Sequence, residues 1–482
     1  MSHSFKTQGH TSSKISAMDT QTLAPRATAL PPGPPCHFFG FPELFKFGRD
    51  YLGHLGRLQR RYGDVVYMRF GRYRDYSFFH PEQMRELLLG AHDSMIRWER
   101  ATEIFAVVHG HSVLVAEGAA WGQKRRMLQP GFGPKRVAGF AAAMVAAGSE
   151  ALASWPQDDQ LDLDFEQAMT RLTMDVILRT LFSSAANAEA RLAEEAVRVL
   201  SIEGMREMYW PASAPLWAPW KARKRRAMKA LDGLIRGHIA ARRGLQGDAP
   251  DDLLSMLMQL RHDDGQALSD TELRDECMTI FLAGHETSAA ALTWWGWCMA
   301  DNPAAAAQAS AEVARVLGCR QPGFDDLPAL GYLGQTIKET LRLYPAAPAL
   351  MSRRTMAPIE IAGFTVPAGA LIRLTPGVTQ RDARWFPQPE SFMPERFAPG
   401  AAEIPRGAYM PFGAGPRVCL GSHFAQTEIT LIAALLLQRY EIHAVPGSAA
   451  PKPVLHITLR PEQPLRLRLL RRATAQAISC AA

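Results

Sequence analysis

The chain has 482 residues, of which 47% are hydrophobic and 21% charged, and it carries a net charge of +7. This is the make-up of a soluble globular protein able to bury a large core, and length alone suggests two or three domains. The positive balance admits nucleic acid, an anionic membrane or an acidic protein as partner; no interleaving of aromatic and basic residues supports nucleic acid, and the densest basic run, Lys221–Arg226, reads as a solvated helix start.

Ser, Thr, Lys and Gln dominate residues 1–28 with no apolar stretch behind them. Neither a signal peptide nor a membrane anchor is expected, and residues 1–29 read as a polar disordered tail. Leu30–Pro35, with four prolines around Gly33, is a stiff exit from that tail. Strand patterns at Val65–Phe70 and Asp75–Phe79 flank a basic turn. From about residue 81 to 345 the pattern is helical, broken at Pro130–Pro134, Pro156–Asp159, Pro211–Pro219, Gly247–Pro250 and Asn302-Pro303. Ser269 and Glu272 form a capping box that opens a long helix ending near Ala300. Its apolar stretch, Cys277–Met299, is interrupted by His285 and Glu286, so it reads as a buried helix bearing functional polar groups rather than a membrane span. After Pro345 short extended pieces appear (Ile359–Ile361, Leu371–Thr375, Leu465–Leu469) between Pro- and Gly-rich connections. No repeat or strong linker divides the chain, so one mainly α domain with a small β-rich part is expected over 30–482 rather than several.

Cys36, Cys277, Cys298, Cys319, Cys419 and Cys480 form no C-x-x-C pair and no zinc spacing. A disulfide framework is excluded, a reducing cytoplasmic compartment fits, and any special cysteine acts singly. Cys419 stands out. Gly413 and Gly415 give its loop backbone freedom closed to other residues, Pro416 stiffens the turn, and an apolar helical pattern follows through Leu437. A thiol at a helix start sees unpaired amides and the positive dipole end, which favour thiolate. Gly421 leaves room for a flat surface to press close, and Arg417 is placed to meet an anionic group at its rim.

The string Phe412–Gly421 resembles the haem-binding loop of the cytochrome P450 superfamily, matching Phe-x-x-Gly-x-Arg-x-Cys-x-Gly at every fixed position. The resemblance implies haem b held by Cys419, with Phe412, Gly413, Arg417 and Gly421 around it. Other superfamily motifs follow in order. Trp121 and Arg125 resemble the Trp-x-x-x-Arg of its third helix, where both side chains reach a haem propionate. Arg353 sits where the family places another propionate partner; Arg354 is adjacent with the register open by one, and Arg97 or Arg100 is a further candidate. Glu339 and Arg342 match Glu-x-x-Arg on one helix face. Pro394–Phe397 is similar to the family's Pro-Glu-Arg-Phe segment, whose Arg396 would close a structural network with them.

Ala283–Thr287 is similar to the family's oxygen-activation turn. That implies a hydroxyl at Thr287, an acid at Glu286 bringing protons from outside, and a Gly284 that opens the helix groove above the iron. Family members that isomerise peroxides lack the acid–alcohol pair. The implied activity is therefore a monooxygenase using O2 and two external electrons, with a thiolate-haem isomerase or dehydratase, or a haem sensor without turnover, as alternatives. No reductase module is visible, so the implied partner is a separate ferredoxin or flavodoxin with its reductase, docking near Lys124 and Arg126; a monomer is expected. The implied substrate is a small apolar organic molecule: fatty acid, terpenoid or polyketide-like. Its pocket is expected between Arg100 and Val115, at Ile280, Phe281 and Ala283, and at Ala347–Leu350.

Overall fold

The computed structural model describes residues 30–185, 188–209 and 216–472. The expected tail, Cys480, Pro211 and Pro215 lie outside the described residues.

Helices α1 (Phe41–Arg49) and α2 (Tyr51–Tyr62) lead into the hairpin β1 (Val65–Phe70) and β2 (Tyr73–Phe78), paired from Val65↔Phe78 to Phe70↔Tyr73. Val65 faces one apolar cluster and Val66, Met68 and Phe70 another, so the ribbon is buried on both sides. After α3 (Pro81–Leu89), a short strand β3 (Met95–Arg97) joins β5 (Arg353–Thr355) and β8 (Leu371–Leu374) in a five-stranded sheet of order β1-β2-β8-β5-β3. That sheet carries Arg97 and Arg353 side by side in register.

The helical body comprises α4 (Glu99–His109), α5 (Gly118–Leu128), α6 (Pro134–Ser154), α7 (Phe165–Phe182), α8 (Ala188–Tyr209), α9 (Ala222–Arg243), α10 (Leu253–Gln259), α11 (Asp270–Asp301), α12 (Pro303–Leu317) and α13 (Gly331–Leu343). The proline breaks fall at helix boundaries, because proline lacks the amide and clashes with the preceding turn. The expectation of helix throughout 81–345 fails at β3 and at β4 (Gln160–Asp164), which pairs with β12 (Arg466–Arg471) at the far end of the chain. The run Lys221–Arg226 is not simply solvated either. Lys221 and Lys224 are buried, and both bind Glu207 of α8 at 2.7 Å, pinning α9 to α8.

Helix α11 begins with the expected capping box and runs 32 residues, about 48 Å at 1.5 Å per residue. Its residues are apolar on every side, so it crosses the core rather than lying on it. Trp294 stacks on Tyr344 with ring centroids 4.1 Å apart and donates to the Leu459 carbonyl at 2.9 Å. One helix among the described residues, α6, is apolar and long enough to cross a membrane; its inner face, Val137, Phe140 and Met144, belongs to the core around α11.

The remainder is the β-rich part: β6 (Ile359–Ile361) with β7 (Phe364–Val366), the turn α14 (Pro376–Thr379), then α15 (Ser422–Arg439), β9 (Tyr440–Ala444) and the pair β10 (Pro453–Leu455) and β11 (Leu459–Pro461). Strand β12 lies between β4 and β9. Glu339 and Arg342, both fully buried on α13, form two charge-assisted bonds of 2.7 and 2.8 Å, and Arg396 reaches Glu339 at 3.3 Å. Arg342 also donates to the carbonyls of Gln380, Pro389 and Ser391. Every donor is satisfied locally, so the group ties α13 to the segment that leads into the cysteine loop.

Candidate functional site

The cysteine loop is held between α3 and α15. Gly413 and Gly415 have φ of 73° and 75°, the left-handed region that favours glycine. A Cβ on Gly415 would lie 2.3 Å from the Leu88 carbonyl oxygen, so the loop presses against α3 too closely for a side chain. The Cys419 amide donates to the Phe412 carbonyl at 2.9 Å, closing the turn, while the Phe412 ring packs on the main core. A Cβ on Gly421 would have nothing within 4 Å, and one on Gly413 would approach only Leu350, at 3.6 Å.

Cys419 is at once exposed and desolvated. Open space reaches the sulfur, yet enough protein surrounds it that burial raises the thiol pKa, against the opposing pull of the Gly421 amide and the Arg125 charge. Both statements hold if the sulfur lines an interior cleft. The helix end and Arg125 therefore do not by themselves produce the thiolate expected from position; a coordinated cation does so outright.

Beside the loop lies a cluster of guanidiniums. Arg125 donates to the Val418 carbonyl at 2.9 Å. Arg417 lies 4.2 Å over the Trp121 ring and binds Glu117 at 2.6 Å. Arg97, buried, binds the other oxygen of Glu117 at 2.6 Å. Arg353 is buried next to it, and burial together with Arg97 pushes its pKa down to about 10. Burial and Arg97 likewise bring Arg417 down to about 9. Four arginines share one carboxylate, a charge imbalance that calls for further anions. Arg97 and Arg353 lie in the cluster, whereas Arg354 binds Glu99 and Arg100 donates to the backbone of Glu207 and Met208.

The middle of α11 is the second half of the site. Ala283 is exposed and Thr287 half-buried, although residues on either side are buried, so the helix faces open space here alone in its central turns. The Thr287 hydroxyl donates to the Ala283 carbonyl at 2.6 Å. Gly284 departs from expectation. A Cβ there would meet Ile177 Cδ1 at 2.9 Å, so this glycine lets α7 pack close and does not clear the groove on the open side. Glu286 and Thr287 do not touch. Glu286 accepts from Ser201 on α8 at 2.6 Å and from Arg460 on β11 at 3.3 Å, and Arg460 also binds Glu166 at 3.1 Å. Ile280 and Phe281 are core residues rather than pocket lining: both are buried, with Phe281 stacked near His285.

Lys124 is not a free docking charge, since it binds the buried Glu276 of α11 at 2.9 Å; Arg126 remains exposed. Sequence reasoning missed Glu117, Ser201 and Arg460. Glu117 sits four residues before Trp121, a local cue; Ser201 and Arg460 meet Glu286 only through the tertiary fold. A separate pocket of about 680 Å³ opens where α1 and α2 meet α8 and the β10–β11 pair; its lining mixes apolar residues such as Ile202, Met205 and Leu455 with charged ones such as Arg60, Arg381 and Glu390.

These residues fit a planar iron-bearing group with two carboxylates: an accessible thiol in a glycine-relieved loop, four arginines with one carboxylate among them, and an open helix face carrying a hydroxyl. Together with the fold they define a haem-thiolate oxidoreductase. The cytochrome P450 family model matches residues 31–469, and the chain belongs to that family. It is similar to a cyclooctat-9-en-7-ol 5-monooxygenase of Streptomyces melanosporofaciens (35% identity, covering 82% of this chain and 88% of that protein). It is also similar to a cyclooctatin synthase of the same organism (33%; 83% and 88%) and a pentalenene oxygenase of Streptomyces avermitilis (30%; 88% and 96%). The chain is thus a haem-dependent monooxygenase that uses O2, acts on an organic substrate and draws electrons from redox partners.

Proposed function

We propose that Cys419 supplies the thiolate that would hold the haem iron and that Arg97, Arg125, Arg353, Arg417 and Trp121 would hold the haem propionates. The observation that carries this is the accessible yet desolvated Cys419 beside four arginines with a single carboxylate. Phe412, Gly413 and Gly421 shape the cradle under the ring, and Ala283 and Gly284 set the helix turn above it. Bound haem supplies the oxidation, RH + O2 + 2 e⁻ + 2 H⁺ → ROH + H2O. Thr287 presents its hydroxyl to the reacting oxygen, and Glu286 admits protons from the side of Ser201 and Arg460. The substrate is an apolar terpenoid, supported by the alkene and alkenol named for the relatives. Electrons come from an acidic ferredoxin or flavodoxin docking at a basic face that includes Arg126. The protein acts as a cytoplasmic monomer, with residues 30–482 forming one catalytic unit.

The ferrous–carbon monoxide spectrum tests the ligand. The parent is expected to show the Soret band at the thiolate position and Cys419→Ser to lose it; a parent without that band sinks the assignment. With Thr287→Ala, product formed per electron pair is expected to fall about a hundredfold, the low side of what a positioned proton donor contributes. An isomerase would be indifferent to that change. A spin-shift titration across terpenoids, fatty acids and macrolides identifies the substrate class.

A further inference from the structure

Glu117 breaks a local rule. It occupies the N-cap of α5, where Ser, Thr, Asp or Asn would satisfy an orphan amide, and makes no side-chain cap bond. Its carboxylate is spent elsewhere: Arg97 Nε donates to one oxygen and Arg417 Nη2 to the other, each at 2.6 Å. The two arginines come from distant parts of the chain, strand β3 and the cysteine loop. The backbone before Glu117 reinforces the grip, with Arg97 donating to the Leu114 and Ala116 carbonyls and Arg417 to Ala116 at 3.2 Å. The Trp121 ring, one turn into α5, closes over Arg417 at 4.2 Å. A single segment, residues 114–121, therefore fixes where two of the four guanidiniums stand. A local preference overridden at a site is where function is to be sought.

Glu117 is also the negative member of the cluster among the described residues, set between Arg97 and Arg417 with Arg353 paired in register beside Arg97. We propose that Glu117 is a positioning residue of the haem cradle, holding Arg97 and Arg417 as a spaced pair for the propionates and, through its charge, keeping the reduction potential of the iron low. The sign follows from electrostatics, since a fixed negative charge favours the more positive ferric state over the ferrous one. The proposal rests on the haem-thiolate reading given above.

The test uses holoenzyme: dye-coupled potentiometric titration of the parent, Glu117→Gln and Glu117→Asp, with the propionate bending modes read by resonance Raman. Glu117→Gln is expected to move the midpoint to more positive potential, beyond replicate scatter, and to shift the propionate modes. Glu117→Asp, which keeps the charge, is expected to restore the parent potential. An unmoved potential in Glu117→Gln overturns the proposal, as do equal shifts in both variants, which would mark a packing effect. If Glu117→Gln does not retain haem, Glu117→Asp decides alone: haem retained at the parent potential supports the proposal, and haem lost refutes it. A parent lacking the thiolate Soret band with carbon monoxide fails the underlying reading instead, so the two failures are distinguishable.

Discussion

Glu428 has a hydroxyl for a partner where a buried carboxyl would ordinarily have a cation. It is fully buried on α15 and accepts from Ser288 of α11, and burial pushes its pKa up to about 8. An unfolded glutamate titrates near about 4.3. Between those values the folded state holds a proton that the unfolded state has lost, so this contribution to stability is complete below the unfolded pKa and is lost as pH rises toward 8. Glu428→Gln keeps the Ser288 bond and removes the titration. Urea melts of both proteins at pH 5 and pH 7.5 are expected to show the variant gaining on the parent as pH rises, by up to about 1.4 kcal/mol per pH unit. A constant difference across that range would mean Glu428 is charged in the fold. At this scale sequence legibility depended on locality. Cys419, Arg417, Trp121 and Arg125 lie in short strings whose spacing is itself informative. Glu117 had a cue only in its distance from Trp121, and Ser201 and Arg460 had none, because their meeting with Glu286 depends on how α8 and β11 pack.

Helix α11 was the most legible element, since its capping box, proline stop and long apolar run, broken only by His285 and its polar neighbours, are all local properties. What remained hidden was which side of its central turn is open. The packing of Gly284 on Ile177 and the exposure of Ala283 follow from the placement of α7, which no helix reports about its neighbour. The contact gives a double-mutant cycle. Gly284→Ala is expected to destabilise the holoenzyme by about 1 kcal/mol, overpacking against Ile177 Cδ1 outweighing the gain in helix propensity. Ile177→Val removes that terminal carbon, and Gly284→Ala in this background is expected to be neutral or stabilising. Thermal unfolding of the four proteins checks it; equal costs in both backgrounds would show that the clash is relieved by backbone movement. The short strands β3 and β4 were illegible for the opposite reason. Their partners are β5 and β12, more than 250 residues away; β3 has three residues, too few for a period-2 signal, and β4 alternates polar and apolar over only five.

For the molecule as a whole, composition and motif order were enough for the mainly α architecture, while the sheet order β1-β2-β8-β5-β3 was not, since it interleaves the two ends of the chain. The net charge of +7 belongs at this scale too. Reduction by an acidic ferredoxin is expected to slow steeply as ionic strength rises from about 0.01 to 0.15 M, where the Debye length shrinks from about 30 to 8 Å. Arg126→Glu is expected to slow it further at low salt, as stopped-flow reduction would show; a salt-independent rate would place docking on a neutral surface.

Glu286 is suspended between two elements, bonded to Ser201 of α8 and, at 3.3 Å, to Arg460 of β11. Both elements also contribute to the lining of the 680 Å³ pocket, at Ile202 and Leu459, each one residue from a Glu286 partner. A displacement of either element pulls on the same tethers, and the Arg460 bond already stands near the reach of a hydrogen bond, about 3.5 Å. A side chain altered at Ile202 or Leu459 would therefore be felt at the acid through its two partners.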